Sequence, residues 1–250
     1  MLLPAYEGEY FFDLFGFGKR FIKIVFIYEK NVGNNMSNYK LVLFDMDGTL
    51  LRDRGIFVIA EKKGFLEDLF RLIRDSSKEY YIRSIEIAKL SKGYSCYEFL
   101  EIFRKVPLQN NAKKVIKDLK KKGVITAIAT DSYQFLADDL KNRLGIDYAF
   151  GNNLITNDGV ITGELEINNK GLKKDFNSNR IYSICKSCVL EQLCNDLKIP
   201  VEKTIAVGDG IVDTGMIQKA GLGIAFNASD DVNKNADVVT NDLMKILNYI

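Results

Sequence analysis

The chain has 250 residues, 47% of them hydrophobic, which suits one domain with an insertion or two small domains around a buried core. Its 35 lysines and arginines nearly balance 33 acids, so it lacks the basic excess of a dedicated nucleic-acid binder. It contains no histidine, which excludes histidine triads, bases and metal ligands and leaves acid-base work to carboxylate, lysine, tyrosine or cysteine.

Residues 1–37 are expected to form an N-terminal extension, disordered or not native, because Met36-Ser37-Asn38 stands immediately before the first clear strand signal and Met36 reads as a natural start. The densest apolar run there, Phe21 to Tyr28, is interrupted by Lys23 and is too short to span a bilayer. Glu7, Glu9 and Asp13 precede it where a secretory signal would be basic. An added edge strand at Phe21 to Tyr28 is the alternative.

Leu41-Val42-Leu43-Phe44 predicts a short buried strand that releases Asp45-Met46-Asp47-Gly48-Thr49 at its carboxyl end. Alternation puts Asp45 and Asp47 on one side, Gly48 permits a tight turn and Thr49 can tie it down. Two readings stand here: a pair of catalytic carboxylates, one for a phosphorus centre and one for the leaving oxygen, or an ordinary polar turn. From Gly55 to about Val106 the apolar spacing is helical, through Leu66, Leu69, Phe70 and Ile73, then Ile82, Ile85, Ile87 and Leu90, then Phe99, Ile102 and Phe103. The run is far longer than a simple crossover needs, so residues 53–106 read as a small helical cap inserted over the sheet's carboxyl edge.

Lys113, Lys114, Lys117 and Lys120 to Lys122 read as the solvated face and end of an amphipathic helix. Val124 to Ala129 predicts the next strand, ending in Thr130-Asp131-Ser132, which suits either phosphate or the cap of a following helix. Asp147 to Phe150 is a further strand, and Leu154 to Thr156, Asn157-Asp158-Gly159 and Val160 to Leu165 predict a hairpin. The helical segment Ile184 to Leu197 carries Cys185 and Cys188 in C-x-x-C spacing. A zinc site there would need Cys96, Cys194 or a carboxylate; buried reduced thiols, in a reducing cytoplasm, are the expectation. The strand Thr204 to Val207 runs into Gly208-Asp209-Gly210-Ile211-Val212-Asp213, and Leu222 to Ala225 and Asp237 to Val239 complete the strand set.

This alternation predicts an α/β fold: a Rossmann-like parallel sheet core from 38–52 and 107–250, with the inserted helical cap at 53–106 and the β-hairpin. Four acids at strand ends would repel one another unless a ligand or cation compensated them, and Asp209 and Asp213 suit a hard, oxygen-seeking cation.

From Tyr39 to Ile250 these segments resemble the haloacid dehalogenase-like hydrolase superfamily, whose motifs run D-x-D-x-T, a strand-end Ser or Thr, a Lys and a final acidic pair. The resemblance implies a magnesium-dependent phosphatase of small phosphate monoesters. Asp45 would attack phosphorus to form an aspartyl-phosphate, and Asp47 would protonate the leaving group and later activate water. Mg2+ would be held by Asp45, the Asp47 carbonyl and Asp209, with Asp213 close by. Thr130 would hold the phosphate with Asp131 beside it. Lys186 is assigned the charge-neutralising role because it opens the helix before the Thr204 strand, with Lys170, Lys173 and Lys174 as competitors.

Order and spacing look most like the phosphoserine phosphatase branch, in Gly145 to Phe150, the hairpin with Gly163-Glu164, Ala206 to Gly210 and Ala220 to Phe226. Arg104 falls where that branch grips a substrate carboxylate, or is a solvated helical arginine. Departures concern the substrate: Arg54 stands where the branch has a cap glutamate, Thr-Asp-Ser replaces Ser-Gly-Gly, and Val212 replaces a polar Asn. A cation at Arg54 would repel a serine ammonium and prefer an anion. The cap would close over the site and supply specificity through Arg54, Arg104 and Phe57. The expected partner is a small phosphorylated metabolite, with no nucleic acid or membrane, for a cytoplasmic monomer or homodimer. A phosphotransferase or phosphomutase of the same superfamily, or a non-catalytic phosphometabolite-binding module, is the alternative.

Overall fold

The strand expected at Leu41 to Phe44 is the centre of the molecule. In a computed structural model that describes residues 39–250 apart from Asn177, Leu41–Phe44 forms β1 with all four side chains fully buried. The expected extension and the alternative strand at Phe21 to Tyr28 lie outside the described residues.

A run buried on both faces belongs inside a parallel sheet. β1 pairs in parallel with β2 (Ile125–Tyr133) on one side and β5 (Thr204–Gly208) on the other, so that Phe44 lies level with Ile128 and Val207. β3 (Tyr148–Asn157) adds in parallel to β2, and β4 (Val160–Glu166) returns antiparallel to β3. β6 (Leu222–Phe226) and β7 (Val238–Thr240) extend the far side, giving the order β4-β3-β2-β1-β5-β6-β7 among the described residues.

The two faces divide by strand alternation. Val42, Phe44, Ile128 and Val207 belong to the core shared with α5 (Ala112–Lys121) and α6 (Gln134–Leu144). Leu41, Leu43, Ala127 and Ala206 meet α7 (Lys186–Leu197) and Met216 of α8 (Thr214–Lys219) on the other side. Between β1 and α5 the chain makes α1 (Gly55–Lys63), α2 (Leu66–Arg74), α3 (Tyr80–Leu90) and α4 (Cys96–Phe103). Ile59, Leu69, Phe99 and Phe103 from this insertion join the first core cluster, so it packs continuously with the sheet. A short α9 (Asp230–Asn233) precedes β7.

Two elements exceed their sequence bounds. β2 runs past Ala129 to Tyr133, where Asn152 on β3 donates to the Asp131 carbonyl at 2.7 Å and keeps the neighbours joined. The expected strand at Asp147 to Phe150 and the first hairpin arm are one strand, β3, which turns through Asp158 (φ 48°) and Gly159 (φ 78°) into β4. Two successive left-handed residues match the twist of a two-residue hairpin. That hairpin braces the insertion: Gly93 donates to the Ile161 carbonyl at 2.8 Å, and Cys96 donates to that of Gly159 at 3.0 Å.

Candidate active site

Strand ends in a parallel sheet open toward one edge, where loops can converge on a ligand. The Asp45 N–H still donates to the Val207 carbonyl at 2.8 Å, so the first carboxylate leaves the sheet from its last paired residue. The turn then reverses at Gly48 (φ 90°), and a Cβ there would lie 2.4 Å from Asp209, so only glycine lets the two loops approach this closely. Thr49 locks the approach by donating to Asp209 Oδ1 at 3.1 Å. The Gly55 N–H at the start of α1 donates to Asp47 Oδ1 at 2.6 Å, fixing the second carboxylate.

Lys186, the first residue of α7, has a side chain with no exposed surface and ion-pairs with both Asp45 and Asp213. Asp213 is itself held from below, its Oδ2 accepting from the N–H groups of Asp209 at 3.1 Å and Gly210 at 2.8 Å. Carboxylate oxygens of Asp45, Asp209 and Asp213 lie within 4.8 Å of one another. One ammonium among three carboxylates leaves excess negative charge in a dry place, which strongly disfavours full ionisation. Burial, together with Asp213 and Asp209, accordingly raises the Asp45 carboxyl well above its ordinary value against the pull of Lys186, and burial and Asp213 raise Asp209. Burial works against the Lys186 ammonium, but Asp213 and Asp45 outweigh it and raise its pKa. Asp47 is pushed to about 7, chiefly by burial, with the Gly55 N–H opposing.

Three converging hard oxygen donors with uncompensated charge fit a divalent oxygen-seeking cation. Phosphate has a waiting partner too. Ser132 Oγ is buried without a hydrogen-bond partner, and its residue lines a cavity of about 120 Å³ together with Asp45, Asp47, Asp131 and Asp209. Thr130 lies beneath, fully buried, its hydroxyl accepting from the Ser132 N–H at 3.1 Å. Ser132 was visible in the sequence only as part of Thr130-Asp131-Ser132; its orientation depends on β2 continuing past Thr130.

The remaining sequence-selected residues separate. Arg54 and Phe57 line the cavity. Arg104 does not: its guanidinium bonds Asp139 of α6 at 2.8 Å and Glu101 at 3.3 Å, so the expected carboxylate grip is corrected to a surface brace between α4 and α6. Lys170, Lys173 and Lys174 are exposed, and Lys170 pairs with Glu166. The thiol expectation also needs correction, because Cys185 and Cys188 are joined as a disulfide across the first turn of α7; Cys96 and Cys194 are free. Cys185 is the extended residue that caps α7, and the first turn brings Cys188 to a Cα–Cα distance of 5.2 Å from it. Asp175, which sequence reading passed over, accepts from Ser187 Oγ at 2.5 Å and so supports the residue next to Lys186.

Known proteins are similar to this chain over most of its length. A family model described as haloacid dehalogenase-like hydrolase matches residues 42–218. The chain is similar to the phosphoserine phosphatase of Methanocaldococcus jannaschii, 32% identical over 216 residues that cover 84% of this chain and 97% of that protein. It is also similar to a solved structure of a phospho-aspartyl intermediate analogue of phosphoserine phosphatase, with TM-score 0.72 and 30% identity over 85% of this chain and 99% of that one. A substrate-bound phosphoserine phosphatase complex gives TM-score 0.72 and 30% identity, covering 85% of this chain and 98% of the other.

Proposed function

We infer the activity from the premise that this chain belongs to the haloacid dehalogenase-like hydrolase family: it is a phosphatase that hydrolyses small phosphate monoesters through an aspartyl-phosphate. The observation that carries the assignment of roles is Lys186, buried between Asp45 and Asp213 beside a cavity that Asp47 and Ser132 also line.

An Asp45 oxygen attacks phosphorus as the bond to the ester oxygen breaks, and Asp47 delivers its proton to that departing oxygen. A carboxyl held near 7 is protonated often enough at neutral pH to be an acid, and ionised often enough to be the later base. In the second half Asp47 takes a proton from water as the water oxygen attacks phosphorus, and the Asp45 carboxylate is released. Lys186 offsets charge gathering on the phosphoryl oxygens, the Ser132 hydroxyl donates to one of them, and Thr130 with the backbone at Asp131 shapes their seat.

Magnesium is the cation this site suits: Asp45, Asp209 and the Asp47 backbone carbonyl would hold it, with Asp213 close by or in the outer shell. When bound, it neutralises the carboxylates and the phosphoryl group that must meet them. The relatives' names make phosphoserine the first substrate to test. No helix among the described residues is long and apolar enough to cross a membrane.

The test is phosphate release from a panel of phosphorylated metabolites with magnesium supplied. Asp45→Asn should lower kcat by about 10³-fold or more if the carboxylate is the nucleophile. Retention of full activity by that variant would sink the covalent route, and transfer of phosphate to an alcohol without free phosphate would make the enzyme a phosphotransferase.

A further inference from the structure

Beside the catalytic cavity lies a second one of about 140 Å³, and the two share Arg54, Ser84, Asp131 and Val212 in their walls. This second cavity gives room for the alcohol part of an ester whose phosphate sits at Asp45. The chemistry of the second wall therefore describes the rest of the substrate.

Two guanidinium groups face it against a single carboxylate, Asp131. Arg54 is exposed and its side chain makes no hydrogen bond or ion pair among the described residues, although Asp131, Asp209, Asp45 and Asp47 lie close enough to favour its charge; its ring contact is Phe57, at 5.7 Å. Arg83 is held in place instead. One of its terminal nitrogens donates to the Ile73 carbonyl at 2.7 Å, and its guanidinium lies 4.0 Å from the Tyr80 ring. Tyr80 is wedged in turn against Tyr182 at 4.8 Å. The fork thus comes to the cavity already oriented, while its Nε is buried without a hydrogen-bond partner. An oriented guanidinium with an unpartnered Nε, beside a second one that makes no hydrogen bond, offers planar donors that match a carboxylate or phosphate, and a cation placed between them would meet two like charges.

We propose that the preferred substrate is a phosphate ester whose alcohol part carries a second anion and no ammonium group, the second anion being taken by Arg54 and Arg83. This rests on the phosphatase reading above. Carboxylate and phosphate would both satisfy the two arginines, so the test carries an arm for each.

Four esters of one carbon length separate the possibilities: propyl phosphate, phosphooxypropanoate, propanediol bisphosphate and phosphoserine, which is phosphooxypropanoate with an added amino group. With magnesium present, one of the two doubly anionic, ammonium-free esters should exceed both propyl phosphate and phosphoserine in kcat/KM by about tenfold or more. Which of them leads identifies carboxylate or phosphate. Arg83→Gln and Arg54→Gln should each reduce the advantage of that ester over propyl phosphate by about tenfold. Because this readout is a ratio within one protein, a general loss of activity does not imitate it. Should Arg83→Gln fail to fold, the exposed Arg54 position carries the test. Phosphoserine as the fastest ester, or an unchanged ratio in the variants with propyl phosphate still hydrolysed, overturns the proposal and leaves the phosphatase reading standing. Hydrolysis of none of the four overturns both.

Discussion

The strand-end cluster and the helical insertion meet around one cavity but are built on opposite terms. Asp45, Lys186 and Asp213 are almost wholly buried; Lys186 ties the two carboxylates together, and loop N–H groups hold Asp213. Arg54, Ser84 and Ile87 of the insertion line the same cavity while remaining partly or fully open to solvent. Burying charge is costly unless every member is compensated, so the first region is one unit in which no residue changes alone. Side chains in the second region touch the cavity independently. The lesson is that reaction chemistry is stored in mutual constraint here, and substrate choice in separable contacts.

The largest expected effect comes from breaking the first region at its single cation. Lys186→Met removes the ammonium from between two buried carboxylates without removing the aliphatic stem. Loss of the charge that offsets the phosphoryl oxygens should cost about 10²- to 10³-fold in kcat. Leaving the carboxylates uncompensated should also destabilise the chelator-treated protein at pH 8, by about 3–5 kcal/mol in a denaturant titration. Near-normal activity together with an unshifted denaturation midpoint would show that the cluster is not a unit at all.

A smaller effect, on stability alone, sharpens the same point. Asp47 lies at about 7 in the folded chain against an ordinary 3.8, so the folded state binds the proton more tightly than the unfolded one. Stability from this group is therefore greatest at low pH, is lost as pH rises between those two values, and is flat above them. The span corresponds to something on the order of 4 kcal/mol. Asp45 and Asp209 are raised as well and act in the same direction. Chelator-treated protein should thus lose stability from about pH 4 to pH 7, Asp47→Asn should make that slope shallower, and magnesium should restore stability most at the upper end. A stability that rises over this interval in the chelator-treated protein would contradict the assigned burial of charge.

The same division explains what could be read from the chain. Acidic strand ends were legible because they follow short apolar runs, and the runs at Leu41 and Thr204 become β1 and β5 with bounds nearly as expected. The α/β order of parallel strands and the antiparallel hairpin followed from alternation and from Asp158-Gly159. Ser132 was not separable from Thr130, because which hydroxyl reaches the cavity depends on how far β2 continues. Arg83 was invisible as a site residue: helical spacing tells which face it lies on, but its setting is made by Tyr80, Tyr182 and the Ile73 carbonyl. The disulfide was not legible because C-x-x-C spacing suits two free thiols as well as a bond between them.

Arg104 supplies the smallest effect, and it bears directly on the second region. Sequence position made it an equal of Arg54, since both are arginines of the insertion. In the fold, however, Arg104 caps α4, is about half exposed in its side chain, and binds Asp139 and Glu101 away from the cavity lining. Exposed ion pairs gain little, because water already solvates both partners and two long side chains must be ordered to meet. Arg104→Ala should therefore leave kcat/KM within about twofold for every ester tested, charged or neutral. Arg54→Gln, at the cavity wall, should change the ranking of those esters. If the two variants behaved alike, the contacts of the insertion would not be separable, and Arg104 would have to reach the ligand through a movement of α4 that releases Asp139.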